Sequence, residues 1–250
     1  MEKIINAIFP PRCVFCGAIG DVFCENCISN CTILHDQRCL VCDKPSSNGY
    51  THQHHFLTSQ IDNNVGNLEK DASITTNKRL FFPSQIVSPF IYEKNVRECI
   101  RMSKYSSRLF SCLKRLSFEG VNIVYEWGLS FEGFIVVPIP VSKQKEKLRG
   151  FNQADIISKI FAKRFNIPVD TSILTRIKDK HAQHSLSRNE RFENIKNSFA
   201  VGKRGDGVLG KKFVLVDDIC TTGATFLESS RVLFDAGALD VKCFALSKKL

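Results

Sequence analysis

Apolar positions along the chain change their rhythm near residue 85. Downstream, short apolar runs alternate with stretches of helical spacing. Residues 87–92, 134–137 (closed by Pro138) and 213–216 read as buried strands, with shorter strands near 173–175, 198–201 and 241–246. The helical period appears over 96–118, over 154–165 and over 226–236. Strands alternating with helices predict an α/β domain with a parallel sheet over residues 85–250. Residues 57–84 are polar and turn-rich with no sustained period, which predicts a linker or insertion. Residues 1–56 keep neither rhythm and stand apart by their cysteines.

Seven of the eleven cysteines fall between residues 13 and 42, as Cys13-x2-Cys16, Cys24-x2-Cys27, a single Cys31 and Cys39-x2-Cys42. A C-x2-C turn presents two thiolates to one metal, and two such turns complete a tetrahedral zinc site. A segment this small has little apolar core, so the metal would supply its folding energy. Cys13, Cys16, Cys24 and Cys27 are the expected ligands of a structural zinc, because they need no other segment. Disulfides and an iron–sulfur cluster are the rival readings. Cys39 and Cys42 form a half-site whose completion is open: His52, His54 or His55 in YTHQHHF, Cys31, or nothing. No general-base carboxylate stands at helical spacing from a ligand pair, so neither site has a catalytic pattern.

The apolar run Phe213-Val214-Leu215-Val216 ends in two carboxylates, Asp217 and Asp218, and the loop Thr221-Thr222-Gly223-Ala224-Thr225 leads into the last helix. Such a loop points backbone N–H groups, hydroxyls and a helix dipole at an anion. The adjacent carboxylates suit sugar hydroxyls, since a carboxylate accepts hydrogen bonds from a diol. Together they read as a ribose-5-phosphate cradle at the C-terminal edge of a central strand, where open α/β sheets place ligands.

Charge sharpens this picture. The formal net charge is +10, and residues 143–212 carry 17 Lys and Arg against 7 Asp and Glu, so the whole excess lies just before the cradle. That concentration suits a polyanion: pyrophosphate, nucleotide or nucleic acid. No apolar run approaches the roughly 18–20 residues that span a bilayer. The start, MEKIINAIFPPRC, has no small-residue cleavage site, which makes the cytoplasm the expected compartment. Residues 173–201 form a long hydrophilic excursion between two strands, with Arg176, Lys178, Lys180, Gln183, Arg188, Arg191 and Asn194, and read as a lid.

The VDDICTTGAT stretch resembles the signature of type I phosphoribosyltransferases, which bind phosphoribosyl pyrophosphate (PRPP). The resemblance implies a type I phosphoribosyltransferase-like parallel sheet with flanking helices, joined here to a small N-terminal zinc-ribbon domain. It implies that Asp217 and Asp218 hold the ribose 2- and 3-hydroxyls and face the reacting ring. Thr221, Thr222, Gly223, Ala224 and Thr225 would hold the 5-phosphate, and magnesium would arrive with PRPP. By the same resemblance Ser142 and Lys143, after the strand ending Pro-Ile-Pro, would contact pyrophosphate, and Arg149 would help close the site.

Three segments then agree in order behind a cysteine ribbon: Arg149-Gly150-Phe151-Asn152-Gln153; Arg176, Gln183, Leu186-Ser187, Arg191, Asn194 and Phe199; and VDDICTTGAT. The combination resembles the ComF family, phosphoribosyltransferase-like proteins tied to DNA uptake in natural competence. The resemblance implies single-stranded DNA as a partner, with a competence helicase or other DNA-processing proteins alongside. Phe15, Phe23, Phe151 and Phe192 are candidates to stack on bases. Many family members carry a fourth cysteine pair where residues 43–84 have none. A glutamine-using amidotransferase is not expected, because that chemistry needs a catalytic N-terminal cysteine and this chain begins Met1-Glu2.

Overall fold

The structure is a computed structural model that describes residues 10–57, 82–104, 110–178, 188–202 and 207–250. Most of the expected linker, 58–81, lies outside the described residues, as do Lys180, Gln183 and Leu186-Ser187 of the expected lid. In chain order the elements are α1 (Glu25–Ser29), α2 (His54–Leu57), β1 (Gln85–Val87), β2 (Phe90–Ile91), α3 (Lys94–Ser103) and α4 (Phe110–Glu126). There follow β3 (Phe134–Pro138), α5 (Lys143–Arg149), α6 (Gln153–Phe165), β4 (Leu174–Arg176), α7 (Arg188–Ile195), β5 (Phe199–Val201), β6 (Lys212–Cys220), α8 (Ala224–Asp235) and β7 (Asp240–Lys248).

Five strands make one parallel sheet in the order β1-β7-β6-β3, with β2 also paired to β7. Because β6 is flanked on both sides, residues 213–216 are apolar without alternation and fully buried. One face buries Val214, Val216, Phe244 and Leu246 against α4 and α6. The other buries Phe213, Leu215, Cys243 and Ala245 against α8. Each layer is closed to water and supplies the main hydrophobic driving force.

Four expectations change in detail. The strand expected over 87–92 is two short strands, because Pro89 lacks an N–H for the ladder and Gln37 Oε1 accepts from Ser88 N at 2.9 Å instead. The single helix expected over 96–118 is two, α3 and α4, and α4 continues to Glu126. Gly120 permits that continuation: a Cβ there would sit 2.9 Å from Leu246, Phe90 and Pro89. The short strands bounding the charged excursion leave the parallel sheet and pair antiparallel with each other as β4 and β5. Finally, β6 runs past its apolar segment to Cys220, because its register with β7 extends to Cys220↔Lys248 and carries both carboxylates on the strand.

The cysteine-rich segment attaches in two places. Its first half packs Cys13, Phe23 and Cys27 into the apolar layer of α3 and α4. Its second half is hydrogen-bonded to the sheet edge through the bridges Ile33↔Phe90 and Tyr50↔Gln85 and through Leu34 N donating to Pro89 O at 2.8 Å.

Candidate functional site

The C-terminal edge of β6 and β7 collects the chemistry. Asp217 and Asp218 are adjacent near the C-terminal end of β6, where the strand's alternation shifts, since Val216 and Ile219 face the same layer, and the two carboxyls stay close enough to interact. Asp217 Oδ1 accepts a hydrogen bond from Asp218 N at 2.8 Å. Burial, and the Asp218 charge beside it, push the Asp217 carboxyl well above the ordinary carboxylate range. Asp218 pairs with Lys104 Nζ at 3.4 Å, and Ser247 Oγ donates to its backbone carbonyl at 3.2 Å.

Beyond Cys220 the chain turns through residues 221–225 into α8. Gly223 takes φ +81°, a left-handed conformation that a side chain would strain. As the N-cap of α8 it offers no side-chain acceptor of its own to the first-turn N–H groups. Thr222 Oγ1 lies 3.5 Å from Ala224 N, a weak contact, and Thr221 is exposed. An open helix start can receive an anion, and the two carboxylates beside it can accept from hydroxyls. The Cys220 thiol, buried behind the loop, is pushed up to about 11 chiefly by desolvation.

The edge above β3 carries Ser142, Lys143 and Arg149 on a short helix. Residues 143–149 form a helix, and Ser142 is its buried N-cap, with Oγ accepting from Lys145 N at 3.3 Å. The reason is local: a Ser cap, seven helix-favouring residues and Gly150 at the C-cap spell out a short helix. The Ser142 oxygen thus accepts from the helix backbone while its O–H remains a donor. Lys143 lines a cleft of about 250 Å³ with Asn152, Asp155 and Arg176, and Arg149 sits half-buried in the last turn of α5.

Asn152 and Gln153 turn out to be architectural. Asn152 caps α6 and donates to Ile139 O at 3.0 Å. Gln153 Nε2 donates to Ile100 O at 3.0 Å and to Ser103 Oγ at 2.5 Å. It therefore fixes the end of α3 one residue before Lys104, which pairs with the cradle. Sequence reasoning missed Lys104, Ser247 and Lys248, whose only signal is a polar residue ending a helix or strand at the sheet's C-terminal edge.

Two groups of metal-ligating atoms are assembled, each with all four atoms within 4.8 Å of one another: Cys13, Cys16, Cys24 and Cys27; and Cys39, Cys42, His52 and His55. A zinc tetrahedron with bonds of about 2.3 Å places sulfurs about 3.8 Å apart, and Cys16 and Cys24 Sγ are 3.5 Å apart. Burial opposes ionisation of Cys13, yet hydrogen bonds from the backbone of Cys24, Cys16 and Phe15 bring it down to about 6. In the second group, His52 Nε2 is 3.1 Å from Pro45 O, which orients the ring and leaves Nδ1 facing Cys42 Sγ at 3.3 Å. A histidine ligand characteristically donates its other N–H to a carbonyl in this way. His55 Nε2 is buried with no hydrogen-bond partner. Burial, with His54, His52 and Lys44 nearby, lowers its proton affinity and favours the neutral ring. Cys31 is not part of this group; it joins the helical core with Cys99 and Cys112.

Among the described residues no helix is long and apolar enough to cross a membrane. Phe23 is fully buried and cannot stack on a base, and Phe15 packs on it with centroids 4.6 Å apart. The side chains of Arg191 and Phe192 lie outside the described residues.

Comparison with known proteins adds identity to this geometry. Residues 4–56 match the double zinc ribbon domain. The chain is 31% identical over 113 residues to Competence protein F of Haemophilus influenzae, which covers 45% of this chain and only 49% of that protein, about half its length. It is 32% identical over 169 residues to DNA utilization protein YhgH of Escherichia coli, covering 66% of this chain and 73% of the relative. Competence protein ComFC of Bacillus subtilis is 31% identical over 154 residues, covering 57% and 60%. Among solved structures, a hypoxanthine phosphoribosyltransferase from Staphylococcus aureus is 11% identical with a TM-score of 0.33, over 53% of this chain and 61% of that one. A glutamine PRPP amidotransferase from B. subtilis is 19% identical with a TM-score of 0.37, over 55% and 26%. At these scores the structural likeness adds nothing to the strand order already described.

Proposed function

The chain belongs to the ComF family, and from that premise we propose that it serves competence and DNA use by binding PRPP with magnesium at the edge of β6 and by handling single-stranded DNA. The observation that carries the PRPP half is the pairing of Asp217 and Asp218 with an open start of α8 three residues beyond the strand. Asp217 and Asp218 accept hydrogen bonds from the ribose diol, and the N–H groups at the start of α8 receive the 5-phosphate. The cations on the β3 edge, Lys143 and Arg149, face pyrophosphate. Magnesium, when bound with PRPP, neutralises pyrophosphate charge. Lys104 holds Asp218 in the free protein and exchanges that partner for the ligand.

Titration calorimetry checks this reading. Asp217→Asn with Asp218→Asn should weaken Mg–PRPP binding at least about 100-fold, the order expected for losing two charge-assisted contacts. Unchanged affinity in that double variant sinks the assignment. Release of pyrophosphate from PRPP across a panel of nitrogen acceptors then reports whether binding leads to transfer, without a glutamine-using step.

The DNA half is supported by the family and by exposed cations in the basic segment, among them Lys143, Lys147, Lys159, Lys163, Lys178, Lys196, Lys211 and Lys212. Phe151 packs on Phe110, centroids 3.8 Å apart, in an open groove that also holds Phe118, Lys114 and Lys159. Backbone contacts from such cations make affinity strongly salt-dependent. Fluorescence anisotropy with an oligonucleotide at two salt concentrations should show tight binding at low salt that collapses at high salt. No binding even at low salt rejects this half. The zinc ligands are taken as Cys13, Cys16, Cys24 and Cys27, with the metal structural.

A further inference from the structure

The double ribbon meets the cradle through Leu40 and Asp43, residues that stand between metal-ligating side chains. Leu40, fully buried between Cys39 and Cys42, lies against the phosphate loop: a Cβ on Gly223 would sit 2.6 Å from Leu40 Cδ1 and 3.4 Å from Leu40 O. Leu40 also belongs to the apolar layer of Phe213, Leu215 and Phe226, so the knuckle closes that layer at the loop. One residue past Cys42, Asp43 takes φ +58° and places Oδ1 2.9 Å from Lys248 Nζ, an ion pair whose angles miss a hydrogen bond. Lys248 is buried and stands in register with Cys220, the last residue before the loop. The turn itself is closed by Asp43 N donating to Cys39 O and Cys39 N to Lys44 O, both at 2.9 Å.

Cys39, Cys42, His52 and His55 are the second donor group of a segment that matches a double zinc ribbon, and we propose that zinc held there keeps residues 221–225 in their anion-binding conformation through Leu40 and Asp43. The donors fit zinc: two thiols, a His52 ring oriented by Pro45 O, and a buried His55 nitrogen with no other partner. The turn has one large apolar anchor, Leu40, so the metal supplies the order that packing does not. Without metal, Leu40 leaves its seat on Gly223 and Asp43 no longer neutralises the buried Lys248. The loop then loses a wall and the lysine its counter-charge. Leu40 and Asp43 are positioning residues. The affinity consequence rests on the PRPP reading above; the loop consequence does not.

The test uses the full-length protein. His52→Ala with His55→Ala should lower zinc from two ions per chain to one by metal analysis. It should speed amide exchange of 221–225 at least about tenfold and weaken Mg–PRPP binding about tenfold by calorimetry. Cys16→Ser with Cys24→Ser should also lose one zinc but leave exchange at 221–225 unchanged. Leu40→Ala should keep both zinc ions and still speed that exchange, which separates loop coupling from a general failure to fold. One zinc per wild-type chain, or unchanged 221–225 exchange in the histidine variant, overturns the proposal. If the wild type binds no PRPP, the phosphoribosyl reading fails, while zinc content and amide exchange still decide this one.

Discussion

The two metal-ligand groups of the ribbon, its first and second knuckles, both use C-x2-C turns, yet they pack into different apolar layers: with Val214 and Phe244 for the first, and through Leu40 with Phe213 and Leu215 for the second. The first draws all its candidate ligands from residues 13–27 and packs Cys13, Phe23 and Cys27 into the helical layer under α3 and α4. Its polar ties are ion pairs from Arg115 to Asp21 and Glu25, and Asn95 Nδ2 donating to Cys27 O at 3.2 Å. The second collects its ligands over residues 39–55 and joins the sheet edge by main-chain bridges. Gly49 there lies so close to β1 that a Cβ would fall 1.7 Å from Ile86 O. A metal turn anchored on side chains can only brace a helix layer. One fused to strands reaches the sheet's C-terminal edge, and so reaches the loop at 221–225.

The largest effect should separate stability from binding. Cys13→Ser with Cys27→Ser removes two buried core thiols along with the first metal. It should lower Tm by about 10 °C, the effect of roughly 3–5 kcal/mol in a chain of this size. Mg–PRPP affinity at permissive temperature should change less than about threefold. A tenfold loss of affinity would erase the distinction between the knuckles. Next comes Asp43→Ala, which strands the buried Lys248. Asp43 is partly exposed, so the cost should be about 1–3 kcal/mol in urea unfolding, below that of a fully buried pair. Adding Lys248→Met should restore part of it, because an apolar side chain needs no counter-charge. No recovery in the double variant would mean that Asp43 acts through its backbone turn alone.

How much of this could be read from residues differs between the same two regions. The first knuckle was legible, because its four cysteines are local in sequence and folding merely closes them. The second was not: three histidines stand within four residues, and only the fold selects His52 and His55 while leaving His54 exposed. The cradle was legible as strand, acidic pair, small-residue loop and helix. Its supports were not. Leu40, Lys104 and Lys248 reach it from distant segments, and no local period marks a residue by what it meets after folding. The helix after Ser142 is the opposite case, since a Ser cap and a closing Gly150 mark it within the sequence itself. The fold class needed only alternation of strands and helices. The antiparallel departure of β4 and β5 required knowing which strand each would meet.

A smaller effect probes the cradle that the second knuckle borders. The folded-state carboxyl of Asp217 is raised, through burial and then the neighbouring Asp218. The folded chain therefore keeps a proton that the unfolded chain releases above its ordinary value of about 3.9. By linkage, stability falls as pH rises from that value through the folded-state value. Asp217→Asn removes this penalty. In the absence of ligand it should raise Tm at pH 7 by about 2–4 °C, the shift that 1 kcal/mol makes at this size, with the gain shrinking as pH falls toward 4. The same variant should bind Mg–PRPP more weakly. A lower Tm at pH 7 would show that the carboxylate is held by favourable contacts rather than under strain.

The smallest effect belongs to the tether of the first knuckle. Arg115 lies 3.6 Å from Asp21, 3.5 Å from Glu25 and 2.7 Å from Glu119, and its Nε makes no hydrogen bond. Glu25 is almost fully exposed, so water and salt screen much of the attraction. Arg115→Ala should cost less than about 1 kcal/mol in urea unfolding, lose still less in high salt, and leave both the zinc content and exchange at 221–225 unchanged. Its contrast with Asp43→Ala is the informative part. Both remove one partner of an ion pair between ribbon and body, but only one of those pairs has a buried member. Equal costs would mean that burial of Lys248 contributes nothing, and that the two knuckles are fastened alike.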